Sequence, residues 1–176
     1  ERKPVVVLSN NDGCIIARSN EAKKLGIKMG EPAFKIKNVV EKYNVNVFST
    51  NFALYGDLSK RVMNTFRTEV NKMEVYSIDE AFLDFSDLAD KERAIQIKKK
   101  VQMWTGIPIS IGIAKTKTLA KVANHIAKKY TKAGVFMFDD EDLIRRALNV
   151  FPVEDLWGIG RKRAKRLKEV GIWSAL

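Results

Sequence analysis

Residues 74–85 read EVYSIDEAFLDF and place two adjacent acids, Asp79 and Glu80, inside apolar sequence. The residues on either side predict two strands, Glu74–Ile78 and Ala81–Phe85. Side chains alternate along a strand, so one acid of a pair in mid-strand would be buried at a large free-energy cost. A bend between the strands would let both acids converge on Mg²⁺, whereas a plain hairpin tip would leave both in water. Both interpretations are open at this point.

Helix and strand patterns alternate around this acidic pair. Apolar residues recur every four positions over Leu54–Val70, which predicts a helix of about 15 residues. Further helices are predicted at 94–104 and 116–129, and strands at 107–113 and 135–138. The strand at 107–113 carries almost no polar side chain, so we expect it to be central and covered on both faces. The order α-β-β-α-β-α-β indicates an α+β fold, with helices on one face of an antiparallel or mixed sheet.

The two ends of the chain show different patterns from this middle. The first 50 residues predict small elements joined by turns, among them strands at Val5–Leu8 and Cys14–Ala17. Beyond Asp139 every predicted element is helical. These helices are expected over Glu141–Leu148, from Pro152 onward, and over Arg161–Val170.

Composition narrows the classes of function. The 176 residues are 45% apolar and 30% charged, so a folded core is expected and disorder is not. No apolar run approaches the ~18 residues of a membrane span, and the charged start is too short for a signal peptide. One cysteine and one histidine argue against an internal disulfide and a zinc cluster. A reducing compartment is therefore expected.

The net charge of +11 is distributed unevenly along the chain. It is +4 over residues 1–50, zero over 51–110 and +7 over 111–176. A neutral middle between basic segments suggests a polyanion bound on both sides of a carboxylate-bearing centre. Lysine that merely confers solubility is the alternative interpretation.

A lysine-rich segment, residues 115–132, contains six lysines and no acid. On a helix, the apolar side chains would form one buried face, made of Leu119, Val122, Ala123, Ile126 and Tyr130. The opposite face would carry a cationic stripe, made of Lys117, Lys121, His125 and Lys128. Such a stripe can bind a nucleoside triphosphate or a backbone phosphate, and a solvated helix face is the alternative.

A glycine turn, Gly158-Ile159-Gly160, precedes six basic residues within the next eight positions. Backbone N–H groups at the start of the following helix can bind phosphate, and glycine permits close approach. The basic residues Arg161, Lys162 and Arg163 add attraction that does not depend on base sequence. The pattern looks like a DNA-binding helix-hairpin-helix, with a plain helical hairpin as the alternative.

These blocks occur in the order seen in Y-family (translesion) DNA polymerases, and the chain resembles that family, above all its UmuC branch. The resemblance extends over nearly the whole sequence. Five segments carry it: PVVVLSNNDGC (4–14), AKKLGIKMG (22–30), YSIDEAF (76–82), KTKTLAKVANH (115–125) and DLWGIG (155–160).

The resemblance implies a polymerase fold with fingers at residues 1–50, a palm at 51–140 and the beginning of a thumb at 141–176. Asp79 and Glu80 match the catalytic carboxylate pair that binds two Mg²⁺ ions in the family. Lys121 matches the lysine that binds the triphosphate, and Lys23 lies where the family carries a basic residue on the incoming nucleotide.

The implied function is template-directed DNA synthesis across damaged bases, within the SOS response to DNA damage. The implied partners are primer–template DNA and deoxynucleoside triphosphates, together with a UmuD-like accessory protein, a recombinase filament and a sliding clamp. The family opens with a strand that bears a third metal-binding aspartate, followed by an aromatic residue that excludes ribonucleotides. Neither is found in these 176 residues, so the sequence is interpreted as a fragment that also lacks the C-terminal DNA-gripping domain and is expected to be inactive alone.

Two other classes of function are open. The chain could serve as a non-catalytic DNA-binding module, which would show salt-dependent DNA binding without primer extension. A nucleotide cyclase on a similar palm is a weaker alternative, because it would not need the glycine turn or the basic helix after it.

Overall fold

The computed structural model describes residues 3–85 and 90–176. The chain forms two compact units, residues 1–55 and residues 56–176, which are described one at a time. Helices and strands are mixed in both units, so the predicted α+β fold class is confirmed. No helix in the described part of the chain is both long and apolar enough to cross a membrane.

The first unit is built on a three-stranded sheet. Strand β1 (Val5–Leu8) lies between β2 (Ile15–Arg18) and β3 (Asn46–Phe48). It pairs antiparallel with β2 and parallel with β3. An antiparallel neighbour follows directly after a tight turn, whereas a parallel neighbour needs a crossover connection, here residues 19–45.

Short helices form that crossover. Helix α1 (Asn20–Lys24) begins after Ser19, whose hydroxyl caps the helix by accepting a hydrogen bond from the Ala22 N–H. A 3-10 turn and helix α2 (Lys37–Tyr43) follow. The apolar side chains of these elements form one core, made of Val6, Leu8, Ile15, Ala22, Ile27, Ile36 and Val45.

The second unit contains the acidic pair. Helix α3 (Phe52–Arg67) precedes a hairpin of β4 (Met73–Val75) and β5 (Ala81–Leu83), and helix α4 (Lys91–Thr105) follows it. One apolar cluster joins these elements, and its buried members are Val62, Met63, Phe66, Ile97 and Val101. The four-residue repeat therefore located α3 correctly.

The remaining strands form a parallel pair. Strand β6 (Ile111–Ile113) pairs with β7 (Val135–Met137), and helix α5 (Lys117–Tyr130) connects them. The prediction of a long central strand at 107–113 is wrong: β6 has three residues, all half-buried. Pro108 has no N–H to donate to a ladder, so the first part of this segment cannot pair as a central strand does.

The chain ends in helices. Helix α6 (Glu141–Val150) packs through apolar side chains with α5 and β7, and helix α7 (Arg161–Glu169) comes last. The helix predicted from Pro152 is only a 3-10 turn, Val153–Asp155. Extended backbone at both of its flanking residues, with ψ 132° at Pro152 and ψ 134° at Leu156, stops it from lengthening.

Candidate active site

The acidic pair lies in the connection between β4 and β5. The strands end at Val75 and begin again at Ala81, so the prediction that the first strand reaches Ile78 is wrong. The loop closes because the N–H groups of Tyr76 and Ser77 both donate to the carbonyl of Glu80, at 3.0 and 3.1 Å. Neither acid is therefore buried in a strand, and the hydroxyl of Ser77 donates to Asp79 Oδ1 at 2.7 Å.

Helix α5 brings two lysines to this hairpin. Lys121 Nζ lies 2.6 Å from Glu80 Oε1, and Lys117 Nζ pairs with Glu74 on β4. The side chain of Lys121 is 24% exposed and that of Glu80 is 36% exposed, so water screens this ion pair only in part. The structure thus brings together the acidic pair and the lysine-rich helix, which lie about 40 residues apart in the sequence.

Two residues of α5 do not lie where the periodicity placed them. His125 was predicted on the cationic face, but its ring packs against Phe151 with the ring centroids 4.9 Å apart. Burial lowers the pKa of His125, and Lys129 lowers it further. Tyr130 was predicted to be buried and is 76% exposed. It is the last residue of the helix, and none of the described residues covers the apolar face at that point.

Sequence reasoning missed an aromatic cluster, formed by Tyr76, Phe82 and Trp157. The rings of Tyr76 and Phe82 flank the acidic loop with their centroids 5.8 Å apart. Trp157 lies 5.5 Å from the first and 5.7 Å from the second. In the sequence, Trp157 is notable only because it directly precedes Gly158. No sequence pattern indicates that it contacts the hairpin of β4 and β5.

The donor chemistry at the hairpin fits a magnesium ion. Two adjacent carboxylates, Asp79 and Glu80, supply the hard oxygen ligands that Mg²⁺ prefers. The residues described contain no group of three or more acidic, histidine or cysteine side chains placed to hold a metal. Magnesium is commonly held by one or two carboxylates together with substrate phosphates, so a pair of acids suffices for that arrangement.

The glycine turn takes the backbone form that a close approach requires. Gly158 has φ +88°, a backbone conformation that residues other than glycine rarely adopt. Gly160 precedes α7 in extended conformation, and no side chain caps the helix. The helix start therefore presents backbone N–H groups beside the exposed side chains of Arg161 and Lys162. Arg163 instead donates to the carbonyl of Gly158 at 2.9 Å.

The remaining predicted residue, Lys23, belongs to the first unit. It lies on α1, and its Nζ is 3.2 Å from Asn20 Oδ1. Its binding of a triphosphate stays a prediction, as does the assignment of fingers, palm and thumb.

Comparison with known proteins shows the family of the chain. The family model described as "impB/mucB/samB family" matches residues 1–125, so the chain belongs to that family. Protein UmuC of Salmonella typhimurium is 50% identical over 99% of this chain and 43% of its own length. DNA polymerase IV of Saccharolobus solfataricus is 33% identical, over 97% of this chain and 49% of its own length.

Solved structures share the fold. A crystal structure of DinB from Sulfolobus solfataricus matches with a TM-score of 0.79 at 30% identity, over 98% of this chain and 51% of that one. An insertion ternary complex of Dbh DNA polymerase matches with a TM-score of 0.81 at 31% identity, over 98% and 52%. The predicted resemblance to Y-family DNA polymerases is confirmed. The chain spans about half the length of these relatives, or less.

Proposed function

We propose that the full-length protein carrying this chain is a translesion DNA polymerase, which adds nucleotides to a primer 3′ end opposite damaged template bases. The observation that carries this proposal is the contact between Lys121 and Glu80, at 2.6 Å, beside Asp79. A cation next to a carboxylate pair in a loop open to solvent suits a substrate that is both polyanionic and metal-bound. Membership of a family with polymerase relatives supports the same conclusion.

Asp79 and Glu80 are the residues that would hold Mg²⁺, two ions in the complete site. Bound magnesium supplies charge stabilisation on the transferring phosphoryl group and activates the attacking 3′-oxygen. The hydrogen bond from Ser77 orients Asp79, and the backbone hydrogen bonds to the Glu80 carbonyl hold the loop in place. The chain thus presents both carboxylates from one short, tied loop, so little motion is needed to bind.

Lys121 binds the triphosphate. Without nucleotide its ammonium group pairs with Glu80, which keeps an otherwise isolated charge satisfied. A triphosphate that arrives at the carboxylates replaces part of this pairing with stronger, charge-assisted contacts. Lys23 is the second cation proposed for the triphosphate.

The glycine turn and α7 bind the DNA backbone. Phosphate can approach Gly158 and Gly160 closely, and Arg161 and Lys162 add sequence-independent attraction. Primer–template DNA and deoxynucleoside triphosphates are therefore the proposed substrates, and the bacterial cytoplasm the proposed compartment. A UmuD-like protein, a recombinase filament and a sliding clamp stay predictions for the full-length protein.

Primer extension tests the proposal. The full-length protein should extend a primer on an undamaged template and past an abasic site. Asp79→Ala or Glu80→Ala should lower the rate more than ~10³-fold, since a metal ligand contributes several kcal/mol to the transition state. Glu141→Ala is the matched control, because this acid is 79% exposed and pairs only with Lys115 among the contacts described.

A different experimental result would refute each part of the proposal. Extension by either variant at near the wild-type rate refutes the role of the carboxylates. A wild-type protein that copies undamaged DNA and always stops at the lesion refutes translesion synthesis and leaves polymerase activity standing.

A further inference from the structure

Trp157 is tied to the catalytic hairpin by more than packing. Its indole N–H donates to the hydroxyl of Tyr76, with Nε1 and Oη 3.2 Å apart. The two rings meet edge to face at 86°, and Phe82 completes the triangle. Three mutual contacts fix the position of each ring, so the indole has one defined place beside the acidic loop.

The same rings form the wall beside Lys121. Its Nζ lies 5.4 Å from the centroid of Tyr76 and 5.9 Å from that of Trp157, within the range of a cation–π contact. A free lysine side chain samples many rotamers, and two aromatic faces together with Glu80 restrict it to a few. Trp157 therefore helps to decide where the ammonium group is held.

The position of this cluster argues against a role in the hydrophobic core alone. Tyr76 is 48% exposed, and the three rings lie outside the apolar clusters that join the helices and strands of this unit. Tyr76 and Trp157 both face the ammonium group of Lys121, whereas Phe82 faces that of Lys117. Aromatic faces that converge on a cation attract it through the ring quadrupole.

We propose that Trp157 is a positioning residue for the nucleotide-binding lysine, an inference that rests on the proposed function. With Tyr76 it holds the ammonium group of Lys121 at the carboxylate loop, where the triphosphate binds. Because Trp157 directly precedes Gly158, one short segment both contacts the DNA backbone and supports the lysine that binds the incoming nucleotide.

Variants of the full-length protein test this inference in single-turnover nucleotide addition. Trp157→Leu keeps apolar bulk but removes the aromatic face, and Trp157→Phe keeps a face. The leucine variant should raise the apparent Kd for the nucleotide about three- to tenfold, the size of an ordinary cation–π contact. The phenylalanine variant should stay within about twofold of wild type, since a Phe face retains much of that attraction. Trp173→Ala is the control, because Trp173 is 64% exposed and lies over Lys168 instead.

A double variant distinguishes a positioning role of Trp157 from a general loss of structure, because positioning acts only through Lys121. In a Lys121→Ala background, Trp157→Leu should cause no further rise in the nucleotide Kd, because the lysine through which it acts is gone. Affinity for primer–template, measured by fluorescence anisotropy, should change less than about twofold in Trp157→Leu, since a cation–π contact to Lys121 is no part of DNA binding.

Two results would overturn this inference on its own. An unchanged nucleotide Kd in Trp157→Leu is one, and an equal rise with and without Lys121 is another. If wild-type protein adds nucleotides and Trp157→Leu behaves like it, only this inference fails. If wild-type protein adds no nucleotide, the proposed function fails and the inference with it.

Discussion

Replacing Gly112 with alanine should displace helix α5 and, with it, Lys121. A Cβ atom at this position would lie 2.1 Å from the backbone nitrogen of Asn124 and 2.4 Å from the carbonyl oxygen of Ala120. Ordinary contacts begin near 3.4 Å, so strand and helix must separate by roughly 1 Å. The obstructing atoms belong to the helix backbone, and no side-chain rotation relieves the clash.

The loss of folding free energy in Gly112→Ala follows from this overlap. Overpacking a tight interior usually costs about 1–3 kcal/mol, and a clash with backbone belongs at the upper end, about 3 kcal/mol. For a domain of this size that corresponds to a fall in Tm of roughly 6–12 °C. A shift of about 1 Å at Lys121 should also lower nucleotide addition on the order of 100-fold.

Differential scanning calorimetry and single-turnover nucleotide addition on the full-length protein measure both effects. Gly56→Ala is the matched control: this glycine lies within α3, and a Cβ there meets nothing within 4 Å. It should stabilise the protein by about 0.5–1 kcal/mol, as alanine does in a helix interior. The reasoning is refuted if Gly112→Ala keeps the wild-type Tm and rate.

Three further variants probe other parts of the second unit. Glu69 is 7% exposed and pairs with Lys100, whose hydrogen bond lowers the pKa of Glu69. Glu69→Gln should therefore lower the free energy of unfolding by about 2 kcal/mol at pH 7, as measured by urea unfolding. The difference in this free energy between variant and wild type should disappear as the pH falls below about 4, because the Glu69 carboxylate is then protonated. Arg161→Ala/Lys162→Ala should reduce the slope of log K for DNA against log salt by about 2 in anisotropy titrations, and an unchanged slope would contradict phosphate contact. Burial lowers the pKa of His125, so this ring binds a proton in the unfolded chain before it does in the folded protein as the pH falls below about 6.5. Protonation therefore favours unfolding in this pH range. His125→Phe should accordingly lose less Tm than wild type between pH 7.5 and 5.5, and equal losses in the two proteins would contradict a lowered pKa of His125 in the folded state.

Local patterns predicted most of the helices. The four-residue apolar repeat located α3, and the pattern of residues 116–129 located α5. Such signals depend on residues adjacent in sequence or one helical turn apart, so the sequence alone carries them. The acidic pair was also found in this way, because two adjacent carboxylates in apolar sequence need a chemical reason.

Contacts between distant segments were beyond that reasoning. His125 and Tyr130 were misplaced because burial on a helix depends on which neighbour covers each turn, here Phe151 for one and nothing described for the other. Trp157 and Tyr76 are 81 residues apart, and no periodicity links them. The hairpin ends were wrong for a similar reason, since backbone hydrogen bonds to Glu80 closed the loop earlier than the side-chain pattern indicated.

A crystal structure of the full-length protein with primer–template DNA, a non-hydrolysable nucleoside triphosphate and Mg²⁺ tests the central claim most directly. Metal density should appear at Asp79 and Glu80, and the ammonium group of Lys121 should contact a triphosphate oxygen. A triphosphate bound away from this hairpin, with Lys121 still paired only to Glu80, would contradict the account.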